Sequence, residues 1–150
     1  MNLTLYQVDA FTNDLFKGNP AAVIFSDLND PKLMQQIAFE NNLSETAFIF
    51  KKDDEYYIRW FAPLCEVDLC GHATLASGFI FFNYIKPEAS EFVVNSKKNG
   101  ILKVIKKSNK LFLDFPIDDI HECEETTILE KCFGKKPNEV FQGRDDILCI

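Results

Sequence analysis

The sequence predicts an α+β fold in which a sheet wraps around one central apolar helix. The segment Gly71 to Tyr84 carries apolar residues on all sides of a helical axis, and a helix that is apolar all round must be buried all round. Short strand-like segments separated by polar turns fill most of the remaining chain. Phenylalanine accounts for 15 of the 150 residues, which suits a core built from large rings. A helix sandwiched between a sheet and a second helix is the alternative architecture.

Strand and helix signals alternate in the first half of the chain. A helix is predicted to begin at Asp30-Pro31, because Asp is a favoured N-cap and Pro is favoured at the first helical position, and to end near Asn41-Asn42. A polar turn at Lys51 to Asp54 predicts a hairpin. The predicted strands are Leu3 to Phe11, Ala21 to Phe25, Thr46 to Phe50 and Tyr56 to Phe61.

The second half begins with the apolar helix and continues as a meander of three strands. Thr127 and Glu130 match a capping box and predict a short helix, which Gly134 ends. The chain stops inside the apolar run Ile147 to Ile150, either as a final strand of a sheet or because it is part of a longer protein, which we expect. The meander strands are predicted at Phe92 to Asn95, Leu102 to Ile105 and Leu111 to Phe115.

Composition and charge are those of an ordinary globular domain. The 16 Lys and Arg residues are outnumbered by 23 Asp and Glu residues, giving a net charge of -7. Lysines do cluster between residues 97 and 107, but this acidic balance gives no reason to expect a nucleic acid partner. The segment Leu69 to Ile85 has no charged residue. Its roughly 17 residues are at the short limit for a membrane span and include polar side chains, so we predict a buried helix and no membrane partner.

The five cysteines form no recognisable disulfide or metal framework. Their number is odd, no C-x-x-C pair occurs, and the chain has only two histidines, which argues against zinc. No signal peptide precedes them, because the first residues predict a strand. We therefore expect reduced thiols, a cytoplasmic location and no bound metal. The cysteines are Cys65, Cys70, Cys123, Cys132 and Cys149.

Glu45 is the first candidate catalytic residue, since it lies where a polar loop becomes an apolar strand. Apolar surroundings disfavour the charged form of a carboxyl group, which would suit it to general acid and base chemistry near neutral pH. The alternative is a structural Glu whose carboxylate accepts backbone N–H groups in a turn.

The predicted start of the apolar helix at Gly71 is the second candidate site. The first N–H groups of a helix have no intrahelical partner, so a small carboxylate could bind there, and glycine leaves room for close approach. His72 could add a donor or a proton relay. Alternatively, Asp68 or a water caps the helix and His72 is an ordinary surface residue.

Cys70 directly precedes this helix start. A thiol at a helix N-terminus has a lowered pKa and could act as a nucleophile or as an acid and base group. The alternative, which we favour, is a small buried apolar side chain.

Four ordered segments and a late Gly143-Arg144-Asp145-Asp146 resemble the PhzF (phenazine biosynthesis-like) family across essentially the whole chain. They are Asn19-Pro20-Ala21-Ala22-Val23, Asn42-Leu43-Ser44-Glu45-Thr46-Ala47-Phe48, Arg59-Trp60-Phe61-Ala62-Pro63 and Glu66-Val67-Asp68-Leu69-Cys70-Gly71-His72-Ala73-Thr74-Leu75-Ala76. One departure is Ala62, where a Thr is common in the family.

The resemblance implies a diaminopimelate-epimerase fold with two similar domains, each a mixed β-barrel wrapped around a central helix, and an active site between them. Known members move a proton between carbons of a small cyclic carboxylate, without metal or organic cofactor. The family's catalytic Glu corresponds to Glu45 and its Gly-His turn to Gly71-His72, with Asp68, Cys70 and Ala73 as further residues at the substrate. The family also suggests a homodimer.

The second domain of the family supplies an Asp and a Gly-Ser turn, and residues 1–150 contain no such second set. The chain therefore resembles an N-terminal domain with the start of the crossover to a second one. Three hypotheses follow: a cofactor-independent isomerase that uses Glu45, a thiol epimerase that uses Cys70, or a non-catalytic interaction domain.

Overall fold

The chain divides into two units, which are described separately. In the computed structural model, which describes residues 2–123, 127–144 and 146–150, the first unit runs up to Phe115 and the second starts at Pro116. The first unit contains β1 Leu5–Ala10, β2 Asn19–Phe25, α1 Pro31–Asn41, β3 Glu45–Lys52, β4 Glu55–Phe61, β5 Glu66–Val67, α2 Gly71–Ile80, β6 Glu91–Ser96, β7 Gly100–Lys107 and β8 Lys110–Asp114. A single π-helical turn, Phe81–Ile85, continues α2.

One mixed sheet of eight strands wraps around α2. The strand order is β1-β2-β3-β4-β6-β7-β8, with β5 paired to β4, and the β2–β3 and β4–β6 pairs are parallel. The helix contacts β1 and β2 at one end of this order and β7 and β8 at the other. A sheet whose two ends both reach one helix must curl around it, so the predicted α+β class with a central helix is confirmed.

The core lies between this sheet and α2. Its rings stack around Phe81, which lies 4.5 Å from Phe92 and 5.4 Å from Tyr56 between ring centroids. Trp60 is fully buried on β4 in the same cluster. The prediction of a core rich in large aromatic rings is therefore confirmed.

The prediction that α2 is buried on every side is wrong in one respect. Ile80 and Phe82 are buried as expected, but Phe79 is 44% exposed. Phe79 lines an open groove together with Leu75 and residues of β1 and β8. The strand order ends at β1 and β8, so the curled sheet leaves this side of the helix without a covering strand.

Local signals in the sequence account for α1 and for the β3–β4 hairpin. Asp30 caps α1 by accepting a hydrogen bond of 3.0 Å from Lys32 N, and Asn42 ends it in the left-handed region with φ 52°. Asp53 and Asp54 form the hairpin turn with φ of 49° and 65°. No helix within the described ranges is long and apolar enough to cross a membrane.

The second unit is small and antiparallel. Strand β10 pairs with both β9 and β11, and Gly134, at φ 68°, follows the end of α3 as predicted. The elements are β9 His121–Glu122, α3 Thr127–Phe133, β10 Val140–Gln142 and β11 Ile147–Cys149.

Candidate active site

The amino end of α2 is the frame of the candidate site. Cys70 is the N-cap residue, with extended backbone (φ −143°, ψ 111°), and its side chain makes no cap hydrogen bond. Thr74 holds this turn, because its N and its Oγ1 both donate to Cys70 O, at 3.2 and 2.6 Å. The amides of the first turn therefore carry the positive end of the helix dipole, and those of His72 and Ala73 lie near the Cys70 sulfur.

Glu45 reaches this helix end because of the parallel pairing of β2 and β3. Ala21 on β2 is in register with Glu45, the first residue of β3. From there Glu45 Oε2 lies 3.3 Å from His72 Nε2, with the Glu45 and His72 side chains 21% and 10% exposed. The two residues predicted to be catalytic are thus in direct contact and largely shielded from solvent.

Ser44 adds a hydroxyl to the same contact. Its Oγ lies 3.2 Å from His72 Nε2 and donates toward Pro20 O at 3.2 Å and Asn19 Oδ1 at 3.4 Å. Ser44 and Pro20 belong to the segments that resemble the PhzF family, but neither was predicted to be a site residue. Their positions next to Glu45 and at the start of β2 were the available signal.

Cys70 is a further member of this cluster and contacts the other ring nitrogen of His72. Its Sγ is 3.3 Å from His72 Nδ1, and the residue is 7% exposed. Burial, together with the neighbouring Glu45 carboxylate, raises the pKa of the Cys70 thiol to about 12, against the opposing pull of the Ala73 and His72 amides. The thiol is therefore protonated at neutral pH, and the lowered pKa that a thiol epimerase needs is not found here.

His72 is held as a neutral ring. Burial lowers its pKa, and the carboxylate of Glu45 and the carbonyl of Pro20 oppose that shift. A neutral imidazole has one N–H donor and one acceptor nitrogen. His72 is thus a partly buried member of the cluster rather than an ordinary surface residue.

Glu45, Cys70 and His72 each place one potential metal ligand within 4.8 Å of the others. His72 Nδ1 lies 3.3 Å from Cys70 Sγ and Nε2 lies 3.3 Å from Glu45 Oε2, and the thiol is also within hydrogen-bond reach of the Glu45 carboxylate. A metal at this point would need the thiolate of Cys70, whereas the raised pKa of that thiol keeps it protonated. The three side chains form a cluster of hydrogen bonds.

The remaining predicted site residues divide into two groups. Gly71 and Ala73 belong to the first turn of α2, beside Cys70 and His72. Asp68 does not join the cluster, because its carboxylate lies 2.6 Å from Lys98 Nζ at the surface. Asp68 also lines a separate small cavity of about 220 Å³ with Arg59 and Glu66.

The chain resembles known proteins over its whole length. The PhzC-PhzF family model, described as phenazine biosynthesis-like protein, matches residues 8–139. An uncharacterized isomerase of Halalkalibacterium halodurans is 49% identical over 95% of this chain and 51% of its own. An uncharacterized isomerase of Pseudomonas aeruginosa is 44% identical over 100% of this chain and 58% of its own.

The fold agrees with that of a solved relative. The crystal structure of a PhzF-family phenazine biosynthesis protein from Enterococcus faecalis has a TM-score of 0.86 and 44% identity, covering 98% of this chain and 56% of that one. The chain therefore spans about half the length of the relatives it matches. On the family match and these identities, the chain belongs to the PhzC-PhzF family of phenazine biosynthesis-like proteins.

Proposed function

We propose that this chain carries half of the active site of an isomerase that moves a proton on a small carboxylate substrate, with Glu45 as the acid and base. The observation that carries the proposal is the 3.3 Å contact between Glu45 Oε2 and His72 Nε2 at the amino end of α2. A shielded carboxylate beside a hydrogen-bond donor and a helix N-terminus combines a proton acceptor with groups that stabilise negative charge. Relatives named as isomerases support this class of reaction.

The proposed reaction needs no other reactant. The Glu45 carboxylate takes a proton from a carbon next to a carbonyl or unsaturated group, and the C–H electron pair moves into that group. Glu45 then returns the proton to another carbon of the same substrate. The product therefore has the same atoms and electrons as the substrate, and Glu45 returns to its initial ionisation state.

The first turn of α2 is the proposed anchor for the substrate. Its amides carry the positive end of the helix dipole, which favours a carboxylate or a developing oxyanion. Gly71 leaves open space, since a Cβ placed there would meet only Leu113 Cδ1, at 3.7 Å. A carboxylate bound at this turn would lie beside the Glu45 side chain.

Deuterium exchange tests this function in the full-length protein. Small keto or unsaturated carboxylates are incubated in D₂O, and loss of carbon-bound protons is followed by ¹H NMR. We expect Glu45→Gln to slow exchange by about a hundredfold or more while the fold is retained. The matched control is Glu40→Gln on the exposed face of α1, which should exchange at the normal rate. Normal exchange in the folded Glu45→Gln variant would refute the assignment.

We further propose that a second domain, of the length by which the relatives exceed this chain, completes the site. The support for a covering domain is an open groove of about 920 Å³ along β1, the Leu75 and Phe79 face of α2 and the start of β8. Phe16 and Leu15 in its lining are 93% and 80% exposed. Large apolar side chains at such exposure are typical of surfaces that another polypeptide covers.

The intact mass of the protein from its source tests this second proposal. The 150 residues have a mass of 17.2 kDa, so a complete two-domain protein should be about twice as heavy. A mass of 17.2 kDa would overturn the proposal, and the interaction-domain hypothesis would take its place. A stable monomer at high concentration would then count against that hypothesis too.

A further inference from the structure

We propose that Cys70 is a positioning residue whose S–H donates to His72 Nδ1 and fixes the ring in the tautomer with its proton on Nε2, directed at Glu45. This inference deepens the isomerase proposal and depends on it for its catalytic meaning. The tautomer itself is a structural statement that can be measured without any activity.

The groups that face His72 Nε2 are hydrogen-bond acceptors. Glu45 Oε2 lies at 3.3 Å and Ser44 Oγ at 3.2 Å, and the carbonyl of Pro20 also accepts a hydrogen bond from the ring. The Ser44 hydroxyl proton is directed at Pro20 O or Asn19 Oδ1, which leaves the Ser44 oxygen as an acceptor. Each of these three groups therefore acts as a hydrogen-bond acceptor toward Nε2, so Nε2 carries the proton.

His72 Nδ1 is the acceptor nitrogen of the ring. A neutral ring with a proton on Nε2 has an unprotonated Nδ1, which must accept a hydrogen bond. The side chain that meets it is Cys70, with Sγ at 3.3 Å. The Glu45 carboxylate is also within reach of the thiol, but the directed contact of the sulfur is the one with Nδ1, and the amides of Ala73 and His72 approach the sulfur as donors, so we infer that the thiol proton goes to the ring.

This arrangement decides between roles for two neighbouring residues. Because Nε2 already carries a proton, His72 cannot accept one from Ser44, so Ser44 is not an activated nucleophile. For the same reason His72 donates to Glu45 and orients its carboxylate instead of acting as the base. Cys70 acts through His72 and does not attack or deprotonate the substrate.

Nitrogen NMR of the imidazoles tests the tautomer directly. Residues 1–150 contain two histidines, His72 and His121, and comparison of ¹⁵N-histidine spectra of the full-length protein with those of its His72→Gln variant assigns the ring signals of His72. We expect one tautomer in the wild type, with Nε2 protonated and Nδ1 unprotonated but hydrogen-bonded. A proton on Nδ1 in the wild type would overturn the proposal without any variant.

Substitution of the thiol provides the second arm. Cys70→Ala should move the Nδ1 resonance toward that of a nitrogen without a donor, and Cys70→Ser should restore the hydrogen-bonded position. Cys65→Ala is the matched control on an exposed cysteine and should leave the His72 ring signals unchanged. An unchanged Nδ1 resonance in Cys70→Ala would contradict the proposed donor.

Turnover separates positioning from thiol chemistry. For a positioning role we expect Cys70→Ala to lower kcat by about tenfold, the loss of one hydrogen bond, and Cys70→Ser to recover most of it. If Cys70 were the acid and base, Cys70→Ser would stay as impaired as Cys70→Ala. Normal exchange in Glu45→Gln would refute the isomerase proposal alone, since the NMR result does not depend on it.

Discussion

The indole Nε1 of Trp60 donates a hydrogen bond of 3.1 Å to Thr74 Oγ1 inside the core. Thr74 in turn donates to the carbonyl of Cys70 at 2.6 Å. The indole N–H and the Thr74 hydroxyl each have an acceptor, and together these two hydrogen bonds connect Trp60 on β4 to the turn that carries Cys70 and His72. The position of the candidate site on α2 is thus fixed by a buried polar chain as well as by apolar packing.

Thr74→Val tests this connection, because it keeps the shape of the side chain and removes the hydroxyl. The Trp60 N–H would remain buried without an acceptor, so we expect the free energy of unfolding to fall by about 1–3 kcal/mol. Chemical denaturation measures the change. In a Trp60→Phe background the same substitution should cost clearly less, since no donor is left unpaired. An equal cost in both backgrounds would mean that the hydrogen bond contributes nothing.

The sequence predicted the elements of this fold well because their signals are local. The Asp30-Pro31 helix start, the turn at Lys51 to Asp54 and the apolar helix from Gly71 depend on neighbouring residues. The structure confirms the two helix starts and the hairpin, with the turn itself narrowed to Asp53-Asp54. Phe79 was misjudged because periodicity describes the faces of a helix and not the place where a surrounding sheet ends.

The contacts of the site were less accessible to sequence reasoning. The contact of Glu45 with His72 depends on the parallel register of β2 and β3, which no local pattern specifies. The family resemblance named both residues, but it did not supply Ser44 as their neighbour. The state of Cys70 results from a balance between burial and helix amides, and only the structure shows that burial prevails.

His72 should make the fold sensitive to mild acid. Burial lowers its folded pKa below the ordinary value of 6.5, so the unfolded chain binds more protons than the folded one below that pH. The free energy of unfolding should therefore fall as the pH drops from about 7 through 6.5 toward the lower folded pKa. Denaturation of wild type and His72→Gln between pH 7 and 5.5 measures this, and the variant should show a shallower slope. Identical slopes would contradict a lowered pKa.

The Cys70 thiol should resist alkylation in the folded protein. Its pKa of about 12 leaves almost no thiolate at pH 8, and the side chain is buried, whereas Cys65 is exposed. Iodoacetamide labelling followed by peptide mass spectrometry should therefore modify Cys65 first and Cys70 only on unfolding. Rapid labelling of Cys70 in the folded state would support the thiol epimerase instead.

The raised pKa of the Cys70 thiol also predicts a loss of stability at high pH. Between the ordinary thiol value of 9.0 and about 12 the folded chain keeps a proton that the unfolded chain releases. The free energy of unfolding should consequently decline above pH 9, and Cys70→Ala should remove that part of the decline. A decline of equal size in the variant would assign it to other groups.

Two glycines of α2 should differ in how strongly alanine at their position affects stability. A Cβ on Gly78 would lie 2.6 Å from Val104 Cγ1, whereas a Cβ on Gly71 would meet only Leu113 Cδ1 at 3.7 Å. Overpacking costs about 1–3 kcal/mol and alanine gains at most about 1 kcal/mol in helix propensity, so Gly78→Ala should destabilise the fold. Gly71→Ala should leave the unfolding midpoint nearly unchanged.

A double substitution identifies the cause. Val104→Ala alone removes buried methyl groups and should destabilise, but combined with Gly78→Ala the two losses should partly cancel, because the new methyl group fills the vacated space. Additive losses would show that the clash with Val104 is not the reason for the glycine. Since Gly71→Ala should retain the fold, a lower deuterium exchange rate in that variant would report lost space for the substrate at the first turn of α2.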